Sequence, residues 1–203
     1  MNLTILGGTL KGLKWNFPEF RTLRPTSVML RRRVFDKYQD LSSYGFVDLC
    51  AGSGMMGLEA LSRGARAIYL IENDKKIYFK LKEIIQNEDR LKNEAKSINI
   101  KNSDFKNWLS ENENLWFNTQ PWILYFDPPY EKSELYDFFL EYFLQKLKNS
   151  PKDFNHKIIF LEYDQQKTKN AKNWDWKIWE TCGAKVSFLK QSSSILAIIE
   201  FSD

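Results

Sequence analysis

Short apolar strands alternate with amphipathic helices through the middle of this chain, and that alternation constrains the fold more than any other feature. Strands are predicted at 45–50, 67–72, 96–101, 122–127 and 157–163, with helices between them at 55–63, 74–90, 104–111 and 133–148. Strands that alternate with helices form βαβ units, and such units build a parallel sheet. We therefore predict an α/β fold.

Both ends of the chain depart from this alternation. Residues 3–17 have the pattern of a hairpin and residues 27–39 that of a helix. Near the other end, β-rich stretches at 174–189 and 194–201 are too close in sequence for a crossover helix between them, so we expect them to pair antiparallel. Trp174, Trp176 and Trp179 include an i, i+2 pair on a predicted strand face, where we expect core or sheet packing, with base stacking as the alternative. The predicted division is a basic extension over residues 1–43 and a main domain over residues 44–203.

Basic side chains are concentrated in the extension. It holds eight Lys and Arg against three acidic residues, although the whole chain carries a net charge of only +4. This pattern indicates an anionic partner, nucleic acid first, with a plain solvated basic face as the alternative. On the predicted helix, Arg31 falls on the apolar face, whereas Arg32 and Arg33 fall outside it. Those two, together with Lys11 and Arg24, are the residues expected to contact nucleic acid.

Composition excludes several classes of protein. No apolar run reaches the roughly 18 residues that a membrane span needs. Two cysteines are too few for a disulfide framework, and one histidine excludes a His-rich metal site. We therefore expect a cytoplasmic protein with no metal and no membrane segment.

A glycine-rich turn follows the strand at 45–50. The stretch Gly52-Ser-Gly-Met-Met-Gly57 fits the G-x-G-x-x-G pattern, which lets the backbone approach a ligand. Glu72 ends the next strand, 20 residues after Gly52, where a carboxylate can accept both hydroxyls of a ribose. These features predict a nucleoside-containing cofactor, either NAD or S-adenosylmethionine.

Asp48 lies inside the strand before that turn, in apolar surroundings, so its carboxylate needs a partner. The ammonium group of a methionine moiety would serve, and so would backbone N–H groups of the turn.

The tetrapeptide Asp127-Pro128-Pro129-Tyr130 follows the strand at 122–127. Two consecutive prolines cannot continue a central strand, so they enforce a stiff turn at its carboxyl end, where open α/β sheets bind ligands. The Asp127 carboxylate and the Pro128 carbonyl can accept the two N–H groups of an exocyclic amine, and the Tyr130 ring can stack on its base. This turn favours transfer of a methyl group from S-adenosylmethionine to an amine.

With these motifs in place, the chain resembles the bacterial RsmD-type methyltransferases, which modify the N2 amine of a guanine in 16S ribosomal RNA. The resemblance rests on Gly7-Gly8, Lys11-Gly12, Leu23-Arg-Pro-Thr26, Arg31, Phe35, Asp48-Leu-Cys-Ala-Gly-Ser-Gly54, Gly57-Leu-Glu-Ala-Leu-Ser-Arg-Gly-Ala65, Ile71-Glu72 and Phe126-Asp-Pro-Pro-Tyr130. It departs from the family pattern at Met29, Arg32 and Asp36.

The resemblance implies a seven-stranded Rossmann-like fold and S-adenosylmethionine as the cofactor. It also implies a monomeric enzyme that acts on 16S ribosomal RNA, within a small ribosomal subunit or an assembly intermediate. The residues it assigns to the cofactor are Asp48, Ala51, Gly52, Ser53, Gly54, Glu72, Asn73, Asp104 and Phe105, and those it assigns to the target base are Asp127, Pro128, Pro129 and Tyr130. Asp104 would equally serve as a helix N-cap.

Three other functions stay open at this point. An adenine-N6 or other nucleic-acid amino-methyltransferase would use the same Asp-Pro-Pro-Tyr turn. An NAD-binding oxidoreductase would share the glycine turn but leaves that tetrapeptide unexplained. A non-catalytic RNA-binding module would leave the complete set of cofactor residues unexplained.

Overall fold

The computed structural model describes residues 1–20, 27–117 and 120–202. The chain packs as two units, Met1–Asn112 and Glu113–Asp203. The predicted boundary at residue 43 is a division by function and stays a prediction. The predicted loop at 21–26, which contains Arg24, lies outside the described residues.

The first unit contains a small hairpin and three strands of the main sheet. Its strands are β1 (Asn2–Thr4), β2 (Lys14–Asn16), β3 (Gly45–Asp48), β4 (Ala67–Glu72) and β5 (Ile98–Asn102). Its helices are α1 (Val28–Lys37), α2 (Met55–Ser62), α3 (Lys75–Asn87), α4 (Asp89–Lys92) and α5 (Phe105–Glu111), with a 3₁₀ turn at Ala95–Ser97. Strands β1 and β2 pair antiparallel, as predicted for the N-terminal hairpin, and β3, β4 and β5 pair in parallel.

The second unit contains the other four strands of the main sheet. Its strands are β6 (Trp122–Phe126), β7 (Lys157–Asp164), β8 (Ala184–Gln191) and β9 (Ser194–Phe201). Its helices are α6 (Glu113–Trp116), α7 (Ser133–Asn149) and α8 (Lys177–Thr181), with 3₁₀ turns at Pro151–Phe154 and Ala171–Asn173. Strands β6 and β7 are parallel, whereas β9 pairs antiparallel with both β7 and β8.

These seven strands form the predicted sheet. The first unit contributes the order β5-β4-β3 and the second the order β6-β7-β9-β8. The sheet is mostly parallel and ends in an antiparallel hairpin, so the predicted fold class is confirmed. All eight residues of β7 are buried, as expected for a strand covered on both faces. Among the described residues, no helix is long and apolar enough to cross a membrane.

A buried ionic cluster ties the N-terminal hairpin and α1 to α2. Glu59 is fully buried and accepts the N–H groups of Leu6 at 2.8 Å and Gly7 at 2.9 Å. Arg31 is 3% exposed; its Nε lies 4.0 Å from Glu59 Oε2, and its Nη2 donates to the carbonyl of Thr4 at 2.9 Å. The predicted inward orientation of Arg31 is therefore confirmed.

The prediction of a strand from residue 174 is wrong for its first part. Residues 174–176 are irregular, α8 follows, and β8 begins only at Ala184. The aromatic and β-branched residues favour a strand, but Trp179 is instead buried from a short helix, 6.4 Å from the ring of Phe201. Gly183, at a φ of 93°, follows that helix and precedes the strand. The tryptophans therefore do not lie on a strand face.

Candidate active site

The glycine turn connects β3 to α2 and is held by backbone hydrogen bonds. Ala51 N–H donates to the Ile71 carbonyl at 2.8 Å, and Gly54 N–H donates to the Ala51 carbonyl at 2.7 Å. Gly54 has a left-handed φ of 75°, and a Cβ there would lie 2.7 Å from Leu81 Cδ1. Because the left-handed φ strains any residue with a side chain, and a Cβ would also displace Leu81, this position favours glycine. Ser53, in the same turn, is 5% exposed.

Glu72, at the end of β4, braces the same turn. Its Oε2 accepts the N–H of Gly52 and its Oε1 accepts the N–H of Asp74, both at 2.8 Å. Burial raises the pKa of Glu72 above its ordinary value of 4.5, although these N–H donors oppose the shift. Each carboxylate oxygen keeps acceptor capacity. Glu72 can therefore accept the two hydroxyls of a ribose while still holding the turn.

Asp48 ends β3 and is 1% exposed. Its Oδ1 accepts the N–H of Cys50 at 3.3 Å. One of the two partners considered for Asp48, a backbone N–H group of the turn, is therefore present at one carboxylate oxygen. A contact between Asp48 and a methionine ammonium group stays a prediction.

The other predicted cofactor residues follow β4 and β5. Asn73 is exposed, and its carbonyl accepts Asn102 Nδ2 at 3.1 Å. Asp104 is the N-cap of α5 and accepts the N–H of Lys106 at 2.8 Å, so the capping role is observed. Phe105 is 4% exposed and belongs to the core. Contacts of Asp104 and Phe105 with an adenine stay predictions.

These residues fit an adenosine-containing methyl donor. A partly buried carboxylate with a raised pKa gains most from ligand hydroxyl groups that can donate to it. The neighbouring glycines leave their backbone open to a ligand. Among the described residues, there is no cluster of three or more His, Cys, Asp or Glu side chains that could hold a metal ion.

The Asp-Pro-Pro-Tyr turn follows β6, and the second unit braces it. Asp127 is partly exposed, Pro128 is buried and Pro129 is exposed. The hydroxyl of Tyr136, on α7, donates to the Pro128 carbonyl at 2.9 Å. A carbonyl oxygen has two lone pairs, so this contact fixes the Pro128 peptide and leaves one acceptor position. Tyr130 is 7% exposed.

Behind the turn lies a buried carboxylate bonded to tyrosine hydroxyls. Glu162, on β7, is 1% exposed; its Oε2 accepts the Tyr125 hydroxyl at 2.6 Å and its Oε1 accepts the Tyr130 hydroxyl at 3.0 Å. The Tyr136 hydroxyl lies 3.2 Å from the Glu162 carbonyl, and the Tyr125 hydroxyl lies 3.4 Å from Asp127 Oδ2. The network therefore connects two strands, β6 and β7, and one helix, α7, to the turn.

Burial raises the pKa of the Tyr130 hydroxyl, and the negative charges of Asp127 and Glu162 raise it further. The hydroxyl therefore stays protonated and remains a donor to Glu162. That bond fixes the orientation of the Tyr130 ring.

No sequence motif identifies Glu162, Tyr125 or Tyr136 as site residues. One signal was available for Glu162, because an acidic residue inside the apolar run Ile158–Tyr163 has to be buried with a partner. The two tyrosines carried no such signal, since a tyrosine in a strand or on a helix is ordinary core composition.

Of the residues expected to contact nucleic acid, three are described. Lys11, Arg32 and Arg33 are exposed in the first unit. This exposure leaves them accessible to an RNA phosphate, and their role stays a prediction.

Comparison with known proteins identifies the family to which the chain is similar. The model of a family described as conserved hypothetical protein 95 matches residues 3–189. The ribosomal RNA small subunit methyltransferase D of Buchnera aphidicola from Acyrthosiphon pisum is 31% identical over 181 residues, covering 84% of this chain and 83% of the relative. The protein of the same name from Escherichia coli K12 is 32% identical over 134 residues, covering 66% of this chain and 63% of the relative.

Solved structures support the fold. A candidate methyltransferase of Escherichia coli, yhhF, matches with a TM-score of 0.69 at 20% identity, covering 100% of this chain and 99% of that chain. A candidate RNA methyltransferase of Pyrococcus horikoshii matches with a TM-score of 0.53 at 16% identity, covering 86% and 82%. The resemblance indicated by the sequence motifs is confirmed: the chain belongs to the conserved hypothetical protein 95 family, the family of ribosomal RNA small subunit methyltransferase D.

Proposed function

We propose that this chain transfers a methyl group from S-adenosylmethionine to the N2 amine of a guanine in 16S ribosomal RNA. The observation that carries the proposal is the Asp-Pro-Pro-Tyr turn held by the Glu162 network, because such a turn offers rigid acceptors to an amine. The methyltransferase names of the relatives support the reaction class and the ribosomal RNA substrate.

The first unit supplies the cofactor residues. Glu72 would accept the ribose hydroxyls, and the backbone of Ala51–Gly54 would lie against the ligand. Asp48 would meet the methionine ammonium group through its buried carboxylate, which also accepts Cys50 N–H. When bound, S-adenosylmethionine supplies a methyl group on a positively charged sulfur, which makes that methyl group electrophilic.

The second unit supplies the residues for the target base. The amine nitrogen of guanine is a poor nucleophile because its lone pair is delocalised into the ring. Asp127 and the Pro128 carbonyl would each accept one amine N–H, which orients the lone pair and favours a pyramidal nitrogen. The Tyr130 ring, oriented by its bond to Glu162, would stack on the base. Asp127 would also be the acceptor for the proton that the nitrogen loses.

We further propose that the substrate is a small ribosomal subunit or an assembly intermediate, and that the enzyme works as a monomer in the cytoplasm. The basic residues Lys11, Arg24, Arg32 and Arg33 would contact RNA phosphates.

The test uses small ribosomal subunits that lack the modification, labelled S-adenosylmethionine, and nucleoside analysis after digestion. The expected product is N2-methylguanosine. Asp127→Ala should lower kcat by at least about a hundredfold with little change in cofactor affinity. Glu131→Ala, which removes an exposed carboxylate just past the turn, is the matched control and should keep wild-type activity. Labelled methyladenosine as the product would refute the guanine assignment, and a fully active Asp127→Ala would refute the role of Asp127.

A further inference from the structure

The loop after β7 and the outer strand β8 carry a basic and aromatic surface that the proposed reaction does not use. We propose that this lysine–aromatic patch, made of Lys169, Lys172, Trp176, Phe188 and Lys190, binds the single-stranded RNA that flanks the target guanine. This inference rests on the function proposed above.

Aromatic rings run continuously from the catalytic turn to the surface. The ring of Tyr136, whose hydroxyl holds the Pro128 carbonyl, lies 5.6 Å from Trp174. Trp174 lies 5.9 Å from Trp176, which meets Phe188 edge to face at 5.5 Å. Phe188 is 41% exposed. The series therefore ends in a ring with a free area on which a base could stack.

Lysines are frequent in the loop and on the strand that carry Trp176 and Phe188. Residues 165–177 hold four lysines and one acidic residue, and Lys167, Lys169, Lys172 and Lys177 are all exposed. Lys190 follows Phe188 by two residues on β8, so both side chains leave the same face of the strand. This is the combination expected for single-stranded nucleic acid, in which phosphates need cations and bases need aromatic faces.

The loop that carries the lysines is anchored by side chains. Asp164 Oδ1 accepts the N–H groups of Gln166 and Lys167, both at 2.9 Å. Asp137, on α7, accepts Asn170 Nδ2 at 2.6 Å and Trp174 Nε1 at 3.0 Å. A loop fixed at both ends loses little conformational freedom when it binds a strand, which suits it to hold RNA beside the turn.

The experiment measures affinity for an unmodified in vitro transcript of small-subunit ribosomal RNA, and in parallel for assembled small subunits that lack the modification, over a range of salt concentrations. Phe188→Ala should weaken binding about tenfold without changing the salt slope, because stacking one base is worth roughly 5- to 150-fold. The double variant Lys169→Ala with Lys172→Ala should instead reduce the magnitude of the salt slope by about 1.4, since each single-strand phosphate contact contributes about 0.7.

Matched controls separate the patch from general effects of charge and apolar surface. Phe79→Ala removes a phenylalanine that is 59% exposed on α3, in the first unit. Lys148→Ala with Lys152→Ala removes two exposed lysines of the second unit that precede β7, whereas the patch follows it. Both controls should keep affinity and salt slope close to wild type.

Three results would refute the proposal that the lysine–aromatic patch binds RNA. They are wild-type affinity in both patch variants, equal losses in patch and control variants, and a loss seen only on assembled subunits and never on naked transcript. The last result would assign the surface to a ribosomal protein. Methylation by the wild type is scored separately: if it modifies no guanine, the proposed function fails, while the binding measurements still decide the patch.

Discussion

The Glu162 network makes a quantitative prediction for Glu162→Gln. The amide keeps the shape of the side chain but leaves one carbonyl oxygen for two hydroxyl donors, Tyr125 at 2.6 Å and Tyr130 at 3.0 Å. A hydrogen bond to a charged group is worth about 1.5–3 kcal/mol. Losing one at a site that is 1% exposed should therefore cost about 2 kcal/mol. In a chain of this length, that cost lowers Tm by roughly 4–8 °C.

Glu162→Gln should affect catalysis more than it affects cofactor binding. Without a fixed hydroxyl partner, the Tyr130 ring and the turn beside it lose their orientation, so kcat should fall at least tenfold, equivalent to about 1.4 kcal/mol. Cofactor affinity measured by calorimetry should not change, because Glu72 and the glycine turn depend on contacts within the first unit. Tyr130→Phe should reproduce part of the loss in kcat, since it removes the same hydroxyl bond from the other side.

Glu113→Gln is the control for this substitution. Glu113 also accepts a tyrosine hydroxyl, from Tyr142 at 2.8 Å, and pairs with Lys146 at 2.7 Å, but its side chain is 40% exposed. It should cost less than about 1 kcal/mol and leave kcat unchanged. A Glu162→Gln enzyme with wild-type kcat and a lowered Tm would show that the network supports the fold alone. Wild-type values of both would refute the reasoning entirely.

Two further predictions concern the first unit. Arg31→Ala should destabilise the chain by about 2 kcal/mol, because it removes a cation 4.0 Å from the buried Glu59 and a donor to the Thr4 carbonyl, while Arg63 Nε, 3.4 Å from Glu59 Oε1, still pairs with that carboxylate. Arg32→Ala on the exposed face should cost less than about 0.5 kcal/mol. Thermal unfolding compares the two variants, and equal Tm values would contradict the assigned orientation of α1. Burial raises the pKa of Glu72 above 4.5. Ionising Glu72 as the pH rises through that pKa therefore lowers the stability of the free protein. Ribose hydroxyl groups that donate to the ionised carboxylate would offset this loss. Cofactor affinity should therefore weaken as pH falls from neutral toward that raised pKa, and calorimetry on Glu72→Gln should give a flat profile.

The main architecture could be predicted from sequence because it follows from local patterns. Alternating strands and helices indicated the parallel sheet, and the short link at Gln191–Ser194 indicated the antiparallel end. The orientation of Arg31 followed from helical periodicity alone. Each of these features depends on residues close together in the chain, so no tertiary information was needed.

The missed features depend on partners far apart in sequence. The β-rich composition of residues 174–189 predicts a strand from residue 174, yet Trp179 is buried from a short helix, α8. Glu162 meets Tyr125 across 37 positions and Tyr130 across 32. Local propensity cannot report such pairs, although a charge inside an apolar strand does indicate that some partner exists.

The buried polar groups of the second unit lie against the Asp-Pro-Pro-Tyr turn, and their position bears on the function of that turn. A carboxylate that is 1% exposed is costly to bury, and an apolar residue of similar size at position 162 would often stabilise a fold as well or better. The tyrosine hydroxyls that bond this carboxylate come from β6 and from the turn itself. A third tyrosine hydroxyl, from α7, donates to the Pro128 carbonyl, so the network restricts the turn from three directions. Fully satisfied buried networks give a single, rigid arrangement. Such rigidity serves a site that has to place two acceptors around one amine nitrogen, since positioning is the main contribution these residues can make to the rate.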